Sequence, residues 1–183
     1  MATTTASLPR IKLAADEVAT PVMVYVPGGL IWGSVVTHKA LSAMRVLIGS
    51  TPPDYVALFN GQMLMTSSNQ LGKTFKRREF HIPSREILAY HLMPPHREEL
   101  HFDETEMNRK MEPFTAIVGA FHFNSEIRMA EQANLKSFLS VAKSDYLEVA
   151  NTEVLLPSNP NLQPIITNYA LLRREYILFS TRT

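Results

Sequence analysis

Met44–Met65 reads MRVLIGSTPPDYVALFNGQMLM, and Leu135–Leu156 reads LKSFLSVAKSDYLEVANTEVLL. Laid over each other without a gap, the two stretches match in kind almost throughout. Met44, Leu47 and Ile48 fall on Leu135, Phe138 and Leu139. Asp54-Tyr55 falls on Asp145-Tyr146, Asn60 on Asn151, and Met63-Leu64 on Val154-Leu155. The chain therefore reads as one small domain used twice. In each stretch a helical apolar face comes first: Leu41, Met44, Leu47 and Ile48, then Leu135, Phe138, Leu139 and Ala142. Thr37 can cap the first helix, and Pro52-Pro53 forbid its continuation. Asn60-Gly61 then predicts a type I′ hairpin between strands at 55–59 and 62–66, because both residues tolerate positive φ. Asn151-Thr152 is a weaker signal of the same kind.

Working outward, Val22–Val26 is β-branched and apolar, a strand that leads into a turn at Pro27-Gly28-Gly29. The returning strand, 30–36, carries Trp32 and Gly33, and the glycine marks a bulge or a close backbone approach. Residues 67–78 are polar and read as a loop, followed by short strands at 79–82 and 87–92. The segment 94–112 is charged, mostly acidic, and fenced by prolines, which marks a boundary. Strand-like segments recur at 114–123, 165–172 and 175–180. The expected fold class is α+β and strand-dominated: two tandem small β-barrel-like or bent-sheet repeats, each with one short helix. Repeat 1 spans 20–93 and repeat 2 spans 113–183; 94–112 is an acidic linker and 1–19 a flexible tail. Units this small have limited cores, so the two copies should pack together as an intramolecular pseudo-dimer.

The chain of 183 residues is 45% hydrophobic and 19% charged, ordinary globular composition. A net charge of +1 provides no overall field to attract nucleic acid or an anionic membrane. With no cysteine there are no disulfides, thiolate metal sites or thiol nucleophiles, which fits a cytoplasmic protein. No apolar run is long enough to span a bilayer, and the start, MATTTASLPRIK, lacks a signal-peptide core.

The stretch from Gly33 through Met44–Leu58 to Arg85-x-x-Leu88 resembles a small uncharacterised bacterial domain family. That family has a glycine-containing strand, an R-L-S-D-x-L-N helix, an F-h-x-L strand (h apolar) and an N-R-x-x-I strand. Met44 and Leu135 stand at its leucine, and Tyr55 and Tyr146 at its aromatic position. The chain departs from the pattern where Ala43 and Asn134 replace the arginine, and Val46 and Ser137 the aspartate. The resemblance implies a β-rich fold and no particular activity. VMVYVPGGLIWGSV and FHIPSREILAYHL are also similar to the opening and closing strands of Sm-like and SH3-like small barrels, a fold-level analogy that assigns no function.

Four patterns bear on chemistry. SSNQLGKT, 67–74, ends like a phosphate-binding loop but starts with serine where glycine is needed. Lys73, Phe75, Lys76, Arg77 and Arg78 combine cations with an aromatic ring, the makings of a nucleic-acid contact and equally of a solvated loop. His91, His96 and His101 lie beside acidic residues, but Pro94-Pro95 precludes one helix across them, so they read as surface linker and no metal is expected. Asp54 and Asp145 recur at loop ends, where an aspartate accepts backbone N–H bonds and fixes a turn. Asp54, Tyr55, Asn60, Gly61, Asp145, Tyr146 and Asn151 thus form a structural set, with Trp32, Tyr55 and Tyr146 in the core. No nucleophile–base pattern appears, and neither a catalytic role nor a cofactor is expected. The reading is a non-catalytic interaction or regulatory module that binds a protein partner or itself. The alternatives are an Sm-like nucleic-acid binder using 73–78 and a small-ligand sensor with its site between the repeats.

Overall fold

Asn60 and Asn151 do have positive φ, 52° and 49°, but neither sits in a hairpin. Each lies inside one long strand, β3 (Tyr55–Met65) or β8 (Tyr146–Leu155). In the pairing of β2 (Gly29–His38) with β3, Trp32 faces Gln62 and Ser34 faces Phe59, so Gly33 alone opposes Asn60 and Gly61. β8 pairs with β7 (Phe121–Ala130) in the same way: Asn124 faces Glu153 and Glu126 faces Ala150, so Ser125 alone opposes Asn151 and Thr152. These are β-bulges, which place one residue in an unusual conformation and bend the strand. The expected hairpins are corrected for a simple reason. Asparagine tolerates the left-handed region in a bulge as readily as in a turn. The bulge shifts the phase of the core-facing residues: Val56 and Leu58 precede Met63, and Leu147 and Val149 precede Val154. Gly33 is a site of close approach, since a Cβ there would lie 2.9 Å from the Phe59 carbonyl oxygen.

The computed structural model describes residues 11–49, 51–66, 72–102 and 105–181, so most of the expected tail and most of the phosphate-loop-like stretch lie outside the described residues. The remaining elements are β1 (Glu17–Val26), β4 (Thr74–Pro83), β5 (Ala89–Leu92), β6 (Arg109–Val118), β9 (Ile165–Arg173), β10 (Leu178–Thr181) and one α-helix, α1 (Leu135–Val141). The ten strands form a single antiparallel sheet in the order β10-β6-β7-β8-β9-β5-β1-β2-β3-β4. Two separate small barrels or bent sheets do not form, and the sheet does not close. The reason lies in β5, which pairs with β1 along one edge and β9 along the other, so the ladder runs on. Within each half the fifth strand lies beside the first: β5-β1-β2-β3-β4 and β10-β6-β7-β8-β9.

Three boundaries move. β1 begins at Glu17, so 17–19 belong to the sheet and not to a tail. β6 begins at Arg109, so the last part of the expected linker is strand. β4 begins at Thr74, so 74–78 is strand and not loop, and no helix follows the phosphate-loop-like stretch. The first helical segment shrinks to a 3-10 turn at Ala43–Val46, capped by Ser42 and not by Thr37. α1 is longer because Asn134 and Ser137 form a capping box at its start.

The three central strands, β9, β5 and β1, bury side chains on both faces. Val22 and Val24 of β1 join the core of the first half, while Met23 and Tyr25 join that of the second. Tyr90 and Leu92 divide from Ala89 in the same way, as Tyr169 and Leu171 divide from Ala170 and Leu172. The sheet thus carries one core on each face of its middle.

A pair of size exchanges marks the two bulges. Leu58 pairs with Phe80 across β3–β4, and Val149 with Ala170 across β8–β9. The Phe80 ring covers Gly61, where a Cβ would lie 2.4 Å from Cδ2; in the second half the larger Thr152 accompanies the smaller Ala170. Gly61→Thr alone should therefore cost about 1–3 kcal/mol through overpacking. Joined with Phe80→Ala, its cost should fall by at least about 1 kcal/mol, a coupling read from denaturant midpoints in a double-mutant cycle.

Candidate functional site

The joint between the halves and the two ends of the sheet concentrate the distinctive geometry. At the joint, Ala89 pairs with Leu172 and Tyr90 with Leu171. The Arg173 N–H donates to the Leu88 carbonyl at 2.8 Å. The Tyr146 hydroxyl lies 3.2 Å from the Ser84 carbonyl oxygen and 3.1 Å from that of Ile87. Arg173 Nη1 also donates to Ser84, at 2.9 Å, and its guanidinium stands 5.7 Å from the Tyr146 ring and 5.5 Å from the Tyr176 ring. Its Nε is buried and has no hydrogen-bond partner among the described residues. Burial pushes the Tyr146 phenol up to about 12, against the opposing pull of Arg173, so it remains a donor at neutral pH.

Tyr55, the residue that matches Tyr146, is 58% exposed, which corrects its expected place in the core. Tyr146 is buried because the other half covers it, and nothing in the first half's own sequence reports that cover. Trp32 is half-buried against the second half's core. Asp54 and Asp145 act through their backbone carbonyls, which accept from Ser84 and Arg174 at 2.9 Å each; the bonds that fix these turns are not carboxylate bonds.

The two ends of the sheet differ. β4 is the outermost strand of the first half and carries exposed Lys76, Arg77, Arg78 and Glu79. Its Pro83 pairs with Tyr55 as Arg173 pairs with Tyr146. Proline has no N–H, so it cannot make the bond that Arg173 makes. Charge and proline are the usual means of blunting an edge strand. The Arg77 guanidinium lies 5.0 Å from the Phe75 ring, which in turn packs 5.9 Å from Phe80. The aromatic of the basic cluster is already engaged. β10, at the other end, is Leu-Phe-Ser-Thr, with Leu178 71% exposed and Tyr176 beside it 62% exposed. A groove of about 490 Å³ runs between β10 and α1, lined by Leu135, Lys136, Leu139, Phe179 and Ser180.

His91 is not linker surface. It lies in β5, fully buried. Its Nδ1 is 2.7 Å from the Leu92 carbonyl oxygen, which fixes the proton there, and Nε2 accepts from the Tyr25 hydroxyl at 3.0 Å. His96 and His101 are exposed, and among the described residues no group of three or more histidines or acids is placed to hold a metal. The connector after β5 crosses the outer face of the second half. It is tied by the Ser42 hydroxyl, which donates to Glu98, and by Phe102 under the Arg128 guanidinium at 4.9 Å. A cavity of about 600 Å³ beneath it is lined by Leu100, Phe102, Arg109, Arg128 and Asn151, among others. Glu106 lies 3.1 Å from Arg109 and 3.8 Å from Arg128, one carboxylate shared by two guanidiniums.

Among the described residues no helix is long and apolar enough to cross a membrane. The chain belongs structurally to the strand-dominated proteins with one open antiparallel sheet. Comparison with protein-family models, curated proteins and solved structures finds no match.

Two outcomes follow from this geometry. Tyr146→Phe removes one donor at the joint and should cost about 1 kcal/mol, lowering Tm by about 2–4 °C in a thermal melt. Burial lowers the His91 pKa from 6.5 to about 4, so unfolding takes up a proton between those values. This contribution is present above pH 6.5 and is lost as pH falls toward 4, by up to about 3 kcal/mol. His91→Gln should flatten the fall in stability across that window, as measured by denaturant unfolding at successive pH values.

Proposed function

We propose that the chain is a non-catalytic interaction module, two copies of one β-rich unit fused through a shared joint, that takes up an extended strand at the β10 end of its sheet. The observation that carries this reading is the contrast between the ends. β4 is blunted by Pro83 and its charges, whereas β10 has neither proline nor charge and presents Leu178 to solvent, with Tyr176 exposed in the turn before it. Strand addition to an exposed edge supplies main-chain hydrogen bonds for affinity and side-chain pockets for specificity. The groove beside α1 is such a pocket. The buried polar groups of the core support the same reading, since His91, Tyr25 and Tyr146 are engaged in holding strands together. The absence of cysteine fits a cytoplasmic setting.

Selection from a random peptide library on the purified protein tests the reading. It should enrich extended sequences with alternating apolar residues. Their binding should fall at least about tenfold in Leu178→Glu and stay within about twofold in Lys76→Glu/Arg77→Glu. Peptides that ignore Leu178, or no peptides at all, would sink it.

One observation favours a second reading: Lys76, Arg77 and Arg78 are exposed together on one strand, with Lys73 just before it. A nucleic-acid contact there would be electrostatic, since Phe75 is packed. Single-stranded RNA should then bind in low salt and lose most of its affinity on charge reversal at those three residues.

A further inference from the structure

The first half shows what fills a groove of this kind. β5 and the turn at Ala43–Val46 form the counterpart of β10 and α1, and β9 occupies it. β9 turns Tyr169 and Leu171 into the first half's core, while its backbone meets β5 at Leu88, Ala89 and Tyr90. The short β5–β9 ladder therefore needs few strand pairs, and its occupant is an antiparallel strand of this same chain.

Among the described residues, β4 and β10 are the strands that end the sheet of a second copy. The first is β4, the counterpart of β9. At the matching positions it carries Glu79 for Tyr169, His81 for Leu171 and Pro83 for Arg173. Docked as β9 is, it would bring a carboxylate and an imidazole against apolar side chains and lack one main-chain donor. Burying such groups unpaired is costly. β4 is thus unsuited to the groove, which prevents open head-to-tail growth. The second is β10 itself. It has no charge to repel its own copy, and the net charge of +1 adds little repulsion between whole molecules.

We propose that β10 pairs antiparallel with the β10 of a second copy across a two-fold axis, joining two sheets into one. This rests on the reading of β10 as the docking edge and names its occupant. Leu178 pairs with Ile117 as Ala89 pairs with Tyr25, so Ile177 and Phe179 hold the places of Leu88, whose carbonyl accepts from Arg173 at the joint, and Tyr90, which pairs there with Leu171. Centred on Phe179, the pairing sets the two Phe179 rings on the face that carries both α1 grooves. The exposed Leu178 of each copy then gains cover on the opposite face. A two-fold contact uses the same patch on both partners and closes on itself, the commonest arrangement among soluble oligomers.

Sedimentation velocity over roughly a hundredfold range of concentration tests the pairing. The wild-type chain should pass from monomer to dimer, with no larger species. Leu178→Glu should raise the dimer Kd at least about tenfold, because Leu178 is exposed in the monomer and its change spares the fold. Circular dichroism checks that the variant is folded. Lys76→Glu/Arg77→Glu should leave the Kd within about twofold. A wild-type chain that stays monomeric, a dimer indifferent to Leu178→Glu, or one abolished by the β4 variant would each overturn the pairing. A monomer that still binds library peptides through Leu178 overturns only the second copy as occupant. A monomer that binds none overturns the edge reading as well.

Discussion

Arg173 and Tyr146 meet the carbonyls of Leu88, Ser84 and Ile87 at the β5–β9 joint, and the rest of the molecule is arranged around that contact. Because β5 is paired on both sides, β9, β5 and β1 run through the middle of the sheet with a core on each face. Strands in that position must be apolar at every residue, not every second one. Val22–Tyr25 and Ala89–Leu92 meet that demand with one polar exception. His91 is tolerated because Tyr25 and the Leu92 carbonyl satisfy both ring nitrogens, while burial keeps the ring neutral.

The joint also explains why equivalent positions in the two halves differ. Where a strand is covered, it carries Tyr169, Leu171 and Arg173; where it ends the sheet, it carries Glu79, His81 and Pro83. Tyr55 and Tyr146 occupy matching places and differ only in what covers them. The differences fall where one half meets the other and the matching position meets water. The basic run at 76–78 lies exposed on the same end strand, and charge is one of the usual features of an edge.

Much of the strand pattern was legible. β1 and β2, with a turn between them and a special role for Gly33, follow from β-branched residues and glycine. α1 follows from its apolar spacing. The errors have physical causes. Asn60-Gly61 has the residues of a hairpin, but the phase shift from Val56 and Leu58 to Met63 shows the core-facing side switching within one strand, the signature of a bulge. β4 was hidden because an edge strand needs no apolar alternation over its exposed part, so 74–78 looked like loop. His91 read as linker through its even spacing with His96 and His101, although the strand expected at 87–92 contains it.

The sequence by itself determined the two matching stretches, the strand-rich composition and the kind of residue at each bulge, because these rest on local backbone preference and the period of apolar side chains. Only the tertiary structure decided that the halves share one open sheet, that Tyr146 is buried while Tyr55 is not, and that β10 and β4 are the strands that end it. Those facts depend on which edge β5 offers to β9. That pairing is made of backbone hydrogen bonds between residues far apart in the chain, and backbone groups are the same at nearly every residue.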